Sequence, residues 1–104
     1  MSKKIIAFIL AYNCQNEINK TLKKIQKYEK YFYKICIIDN SSKDKTFIKA
    51  NTFIKNRNLK KFEIIKNVKN FGQGGSHKVA FEYALINKCD YCLVYHGDDQ
   101  ANIK

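Results

Sequence analysis

The chain has 104 residues and a formal net charge of +11, with 45% hydrophobic and 28% charged residues. That length suits one small domain with a single core, and the apolar fraction excludes a disordered chain. The longest early apolar stretch, Ile5 to Ala11, is far too short to cross a bilayer and has no cleavage-site pattern at its flanks, so a cytoplasmic protein is expected.

Lys4 to Leu10 is a continuous apolar run of strand length, which predicts a first strand covered on both faces. It enters the polar segment Ala11 to Glu17 and then a helical pattern in which Ile18, Leu22 and Ile25 share one face and lysines fill the other. Asn16 is the expected N-cap, Glu17 suits the first-turn dipole, and the helix should fade near Tyr31. Tyr33 to Ile38 reads as a second strand ending in Asp39-Asn40-Ser41-Ser42-Lys43-Asp44, a cluster of turn and capping residues. A second helix is expected from about Lys45 to Asn56, burying Phe47, Ile48, Ala50 and Ile54. A third strand begins at Leu59 or Phe62 and ends near Lys66. Asn67 to Ser76 holds three of the four glycines and is expected to form a tight, close-approach loop. Val79, Ala80, Tyr83, Ala84 and Ile86 mark a third helix, and Tyr91 to Tyr95 a fourth strand that stops at Gly97-Asp98-Asp99.

The order β-α-β-α-β-α-β predicts an α/β fold: an open, mainly parallel sheet with right-handed crossovers and helices on both faces. Every polar cluster follows the carboxyl end of a strand, and in such a sheet those ends share one edge. Tyr12-Asn13, Asp39 to Ser41, Asn70 to Ser76 and Asp98-Asp99 are therefore expected to meet in one crevice. Two adjacent carboxylates repel each other unless a cation shares them, and hard oxygen donors suit Mg²⁺ or Mn²⁺; a solvated Asp-Asp turn is the plain alternative.

The charge has a plain explanation. Nearly all basic residues are Lys, Arg57 being the only Arg, and they are spread along helices rather than set beside stacking aromatics, so nucleic acid is not the expected partner. An excess of Lys does favour anionic ligands and anionic membrane surfaces. Cys89 and Cys92, with His96 and His77, superficially resemble a zinc site, but no second Cys pair follows and Cys92 falls inside the strand. Buried, reduced thiols are expected instead. The segment after the first strand contains no glycine, and G-x-x-x-x-G-K-[ST] is absent, which disfavours NAD and P-loop nucleotides.

Four segments in order resemble family 2 glycosyltransferases of the GT-A fold, in the branch similar to bacterial dolichyl- or polyprenyl-phosphate sugar transferases. Ala11-Tyr12-Asn13 with Glu17 resembles the opening A-Y-N-…-E turn, and Ile37 to Asp44 resembles V-D-D-G-S-x-D. Asn70-Phe71-Gly72-Gln73-Gly74-Gly75 resembles N-x-G-x-G-x, and His96-Gly97-Asp98-Asp99-Gln100 stands where the family has D-x-D.

The resemblance covers essentially the whole chain and implies the nucleotide-sugar-binding half of an inverting transferase. It implies that Tyr12 lines the base pocket, Glu17 lies near the nucleoside and Asp39 accepts a bond from a nucleobase N–H. Gly72, Gly74 and Gly75 would let the loop approach the nucleotide, Lys78 would reach a phosphate, and Asp98, with Asp99, would hold Mg²⁺ or Mn²⁺ against the diphosphate. Ile38 is taken as replacing the first Asp of the acidic pair, and His96 the first Asp of D-x-D, where it packs or joins the metal. Gln100 would support the metal site from behind. The implied partners are a nucleoside diphosphate sugar and a polyprenyl phosphate or glycan acceptor, with polysaccharide biosynthesis at the inner membrane face as the setting. The general base is expected beyond Lys104, in an acceptor half that this sequence lacks. Nucleotide affinity without catalysis, or a basic nucleic-acid-associated module, are the competing readings.

Overall fold

The computed structural model describes residues 3–97. Strand β1 (Ile5–Ala11) is buried from Ile6 to Ala11, with Ile6, Ala7, Phe8 and Ile9 fully inaccessible. A run without polar alternation can only be a strand with protein on both sides. It is followed by α1 (Ile18–Gln26), a 3₁₀ turn (Glu29–Tyr31), β2 (Lys34–Asp39), α2 (Thr46–Asn56), β3 (Phe62–Lys66), α3 (Gly72–Ile86) and β4 (Tyr91–His96). The four strands form one sheet in the order β3-β2-β1-β4, and every pairing is parallel.

That order explains where the helices lie. The chain steps outward from β1 to β2 to β3, then returns past β1 to β4, and right-handed crossovers in opposite directions place their helices on opposite faces. Ala7, Ile9, Ala11, Ile35 and Ile37 point to the face covered by α1 and α2, through Ile18, Leu22, Ile25, Ala50 and Phe53. Ile6, Phe8, Leu10, Cys36 and Ile38 point to the face covered by α3, through Ala80 and Ala84. Tyr83 of α3 packs edge-on against Phe8, with ring centroids 5.7 Å apart, and donates its hydroxyl to the Glu63 carboxylate of β3. Each fully buried Ile or Leu side chain here contributes about 1.5–3 kcal/mol.

Several local expectations are corrected. Glu17, not Asn16, holds the N-cap position of α1, and no side chain caps that helix. The helix ends at Gln26; the stretch towards Tyr31 is a separate 3₁₀ turn. On α2 the buried residues are Thr46, Ala50 and Phe53, whereas Ile48 is exposed and Phe47 and Ile54 are half-buried. Ile86 of α3 is likewise exposed. The glycines after Phe71 open α3 rather than forming a loop ahead of it, and among them only Gly72 has a positive φ, 76°. Leu59 lies before β3, packed against the core at the end of the α2 connection.

Candidate functional site

The carboxyl ends of β1, β2 and β4 lie side by side, with Ala11 opposite Asp39 and Leu10 opposite His96. Between β1 and β4 the strand order reverses, which is where open parallel sheets form ligand crevices. A cavity of about 300 Å³ opens there, lined by Leu10, Ala11, Tyr12, Asn40, Asn70, Gly72, Ser76 and His96. Its wall comes from four separate stretches of chain.

The connections that follow Tyr12 and Asn40 are tied together by hydrogen bonds. The Asn13 N–H donates to Ser42 Oγ at 2.9 Å, and Asn13 Oδ1 accepts from the Lys43 N–H at 2.8 Å. Gln15 N–H donates to Asp44 Oδ2 at 3.2 Å, and Gln15 Oε1 accepts from the Lys45 N–H at 3.1 Å. Asn13 and Ser41 both take left-handed backbone, at φ 47° and 59°, so each connection makes a sharp reversal. The Cys14 N–H donates to the buried Thr46 Oγ1 at 2.8 Å, closing the layer beneath. Burial pushes the Cys14 thiol up to about 11, so it is a neutral, unreactive group at physiological pH.

Asp39 is fully buried and does not line the cavity. Its carboxylate accepts from the Ser42 hydroxyl and, at 3.2 Å, from the Ser42 N–H. Since Ser42 Oγ in turn accepts from Asn13, the carboxylate anchors a relay that orders the turn carrying Tyr12. Strand alternation gives the reason for its placement: Asp39 shares a face with Ile35 and Ile37, towards α1 and α2, while Asn40 falls on the other side. Asn40, just past the end of β2, is the polar residue this stretch presents to the cavity; from sequence it was expected in the crevice as part of Asp39 to Ser41 but was given no role of its own. The signal was available in the period of two.

Ser41 also revises the register of the acidic motif. With φ 59° it adopts a conformation suited to glycine, which puts it at the glycine of V-D-D-G-S-x-D. Asp39 and Asn40 are then the counterparts of the acidic pair, and the departure is Asn40 rather than Ile38.

Of the other residues singled out from sequence, Tyr12 and Gly72 line the cavity, with Tyr12 44% exposed. Glu17 sits at the start of α1, and Gly74 and Lys78 on exposed positions of α3; none of the three is on the lining. Asn70 and Ser76, unassigned from sequence beyond their segment, are. His96 closes the β4 side. Asp98, Asp99 and Gln100 lie outside the described residues, and among the described residues no three His, Cys, Asp or Glu side chains group as metal ligands. Gly97 delivers the chain to that point, its N–H donating to Leu10 O at 2.9 Å.

The sequence profile described as Glycosyl transferase family 2 matches residues 6–104. No curated protein matches the chain. Among solved structures, the chain is similar to the mannosyltransferase PcManGT from Pyrobaculum calidifontis, a complex with GDP-Man and Mn²⁺. The TM-score is 0.70 at 17% identity, over 81% of this chain and 25% of that one. The likeness is one of fold, and the chain spans about a quarter of that protein's length. With the family profile matched from the first strand to the last residue, this chain belongs to glycosyl transferase family 2.

Proposed function

We propose that this chain is the nucleotide-sugar-binding part of an inverting glycosyltransferase. It takes a nucleoside diphosphate sugar with Mg²⁺ or Mn²⁺ at the carboxyl edge of the sheet and serves transfer to a polyprenyl phosphate or glycan acceptor. The observation that supports this most is the meeting of four sequence-distant polar segments around one cavity at the reversal of strand order. Family membership and the GDP-Man and Mn²⁺ held by a protein of the same fold point to the same donor class.

In this reading Tyr12 lies against the base or ribose, where an aromatic face with a polar tip suits a nucleoside. Gly72, Asn70 and Ser76 face the polar part of the nucleotide, and Asp39 acts from beneath, through Ser42, on the turn that carries Tyr12. Asp98 and Asp99 supply hard oxygen donors for the cation, which when bound neutralises charge developing on the departing diphosphate. No general base is assigned within this chain.

Calorimetry with GDP- and UDP-sugars, with and without Mn²⁺, tests the proposal. Metal-dependent binding lost in Asp98→Ala supports it. Salt-sensitive binding of any polyanion, indifferent to that substitution, would instead make the protein a basic nucleic-acid-associated module.

A further inference from the structure

Asn40 is 7% exposed and uses both ends of its carboxamide. Its Oδ1 accepts from the Phe71 N–H at 3.0 Å and from Asn67 Nδ2 at 3.0 Å. Its Nδ2 donates to Asn70 Oδ1 at 2.9 Å and to Gly72 O at 3.3 Å. The two backbone partners fix which end is which, because an N–H can only donate and a carbonyl can only accept. Asn70 Oδ1 also accepts from the Gly72 N–H at 2.7 Å. Helix α3 begins at Gly72, and its N-cap residue Phe71 makes no side-chain cap of its own. Asn40 and Asn70 thus take up N–H groups that the helix start leaves without intrahelical partners.

We propose that Asn40 is a positioning residue of the nucleotide site: its carboxamide, tied to Asn70, Phe71 and Gly72, sets the α3 wall of the cavity. The inference rests on the nucleotide-binding reading above. Asn40 acts through its neighbours, since its donors and acceptors are already engaged. The tip of β2 is itself fixed, with the Asn40 N–H donating to Ala11 O at 2.9 Å and the Asn67 N–H to Asp39 O at 2.8 Å. The carboxamide therefore transmits the place of the sheet edge to the first turn of α3. Only a group that donates on one side and accepts on the other can do this. A carboxylate would keep the bonds from Phe71 and Asn67 but set its second oxygen against two acceptors, Asn70 Oδ1 and Gly72 O.

Asn40→Asp is therefore the informative substitution, measured with Mn²⁺–GDP and Mn²⁺–UDP as probes and with amide exchange as a second readout. At about pH 8 the affinity of the variant is expected to fall at least about tenfold, and Phe71 and Gly72 amides to exchange about tenfold faster, while those of Ile9 and Ile37 stay unchanged. Towards about pH 5 the new side chain takes a proton, regains a donor, and both ratios to the parent should close. Asp39 beside position 40, and Tyr12 and His96 on the cavity wall, are common to both proteins, so the ratio isolates this position. Asn70→Ala, on the exposed side of the same link, should weaken both probes severalfold, with a ratio to the parent that does not close at low pH. Unchanged exchange at Phe71 and Gly72 in Asn40→Asp, or a ratio indifferent to pH, overturns the proposal. Failure of the parent to bind either probe removes the nucleotide reading, whereas the exchange rates still decide whether Asn40 holds the wall.

Discussion

Thr21 Oγ1, fully buried in the middle of α1, donates to the carbonyl of Gly97 at 3.0 Å, joining residues 76 positions apart. Gly97 is the last described residue before the Asp98-Asp99 pair, so a helix on one face of the sheet fixes where the chain leaves β4. The fit is close. A Cβ at position 97 would lie 3.1 Å from both Ala11 Cβ and Cys14 Sγ, and 3.2 Å from Ile18 Cδ1. Gly97→Ala is expected to lower stability by about 1–3 kcal/mol through overpacking, and Thr21→Val by about 1–2 kcal/mol through an unmet buried carbonyl. Urea denaturation with unchanged m-value checks both; stabilities within error of the parent would refute the close fit.

Asp44 governs a pH dependence. Partial burial works to raise its carboxyl, but the bonds donated by the Thr46 hydroxyl and N–H and by the Gln15 N–H outweigh it, leaving the group below the ordinary carboxylate range. A depressed folded value means stability that is present above the unfolded pKa and lost as pH falls through the folded one. Asp44→Ala should cost about 1 kcal/mol at neutral pH, and the gap to the parent should shrink below about pH 4. Denaturation curves at a series of pH values give the answer. A gap constant down to strong acid would count against this assignment.

The cysteines are expected to divide into two classes. Burial pushes Cys14 up to about 11 and Cys36 to about 12, while Cys89 and Cys92 are only half-buried, with burial raising Cys89 as well. Titration with a thiol reagent near pH 8 should label Cys89 and Cys92 first and reach Cys14 and Cys36 only as the protein unfolds. Prompt labelling of all four would contradict the packing around β1 and β2.

The sheet and the gathering of polar segments at its carboxyl edge were legible because polarity changes abruptly at each strand end, and a parallel topology brings those ends together. Helix phase on α2 was not. Phe47 and Ile48, then Phe53 and Ile54, are adjacent apolar pairs, so the pattern admits two faces, and the sheet selects the one with Ala50 and Phe53. The helical start at Gly72 was hidden by the poor helix propensity of glycine; Asn70 accepts from the Gly72 N–H locally, and distant Asn40, invisible in the local sequence, accepts from the Phe71 N–H. Both residues were expected at the crevice; that Asn40 lines the cavity while Asp39 is buried beneath follows from alternation along β2.

The proposed location of the site is tested most directly by backbone amide shifts on titration with Mg²⁺–GDP and Mg²⁺–UDP. Binding at the carboxyl edge should move Tyr12, Asn40, Asn70, Gly72, Ser76 and His96, which line the cavity. At the amino edge Asp90 N–H donates to Lys4 O and Tyr33 N–H to Ile5 O, and Lys4, Tyr33 and Asp90 should stay in place. Shifts centred on that opposite edge, or none with either nucleotide at millimolar concentration, would contradict a nucleotide site at the strand ends.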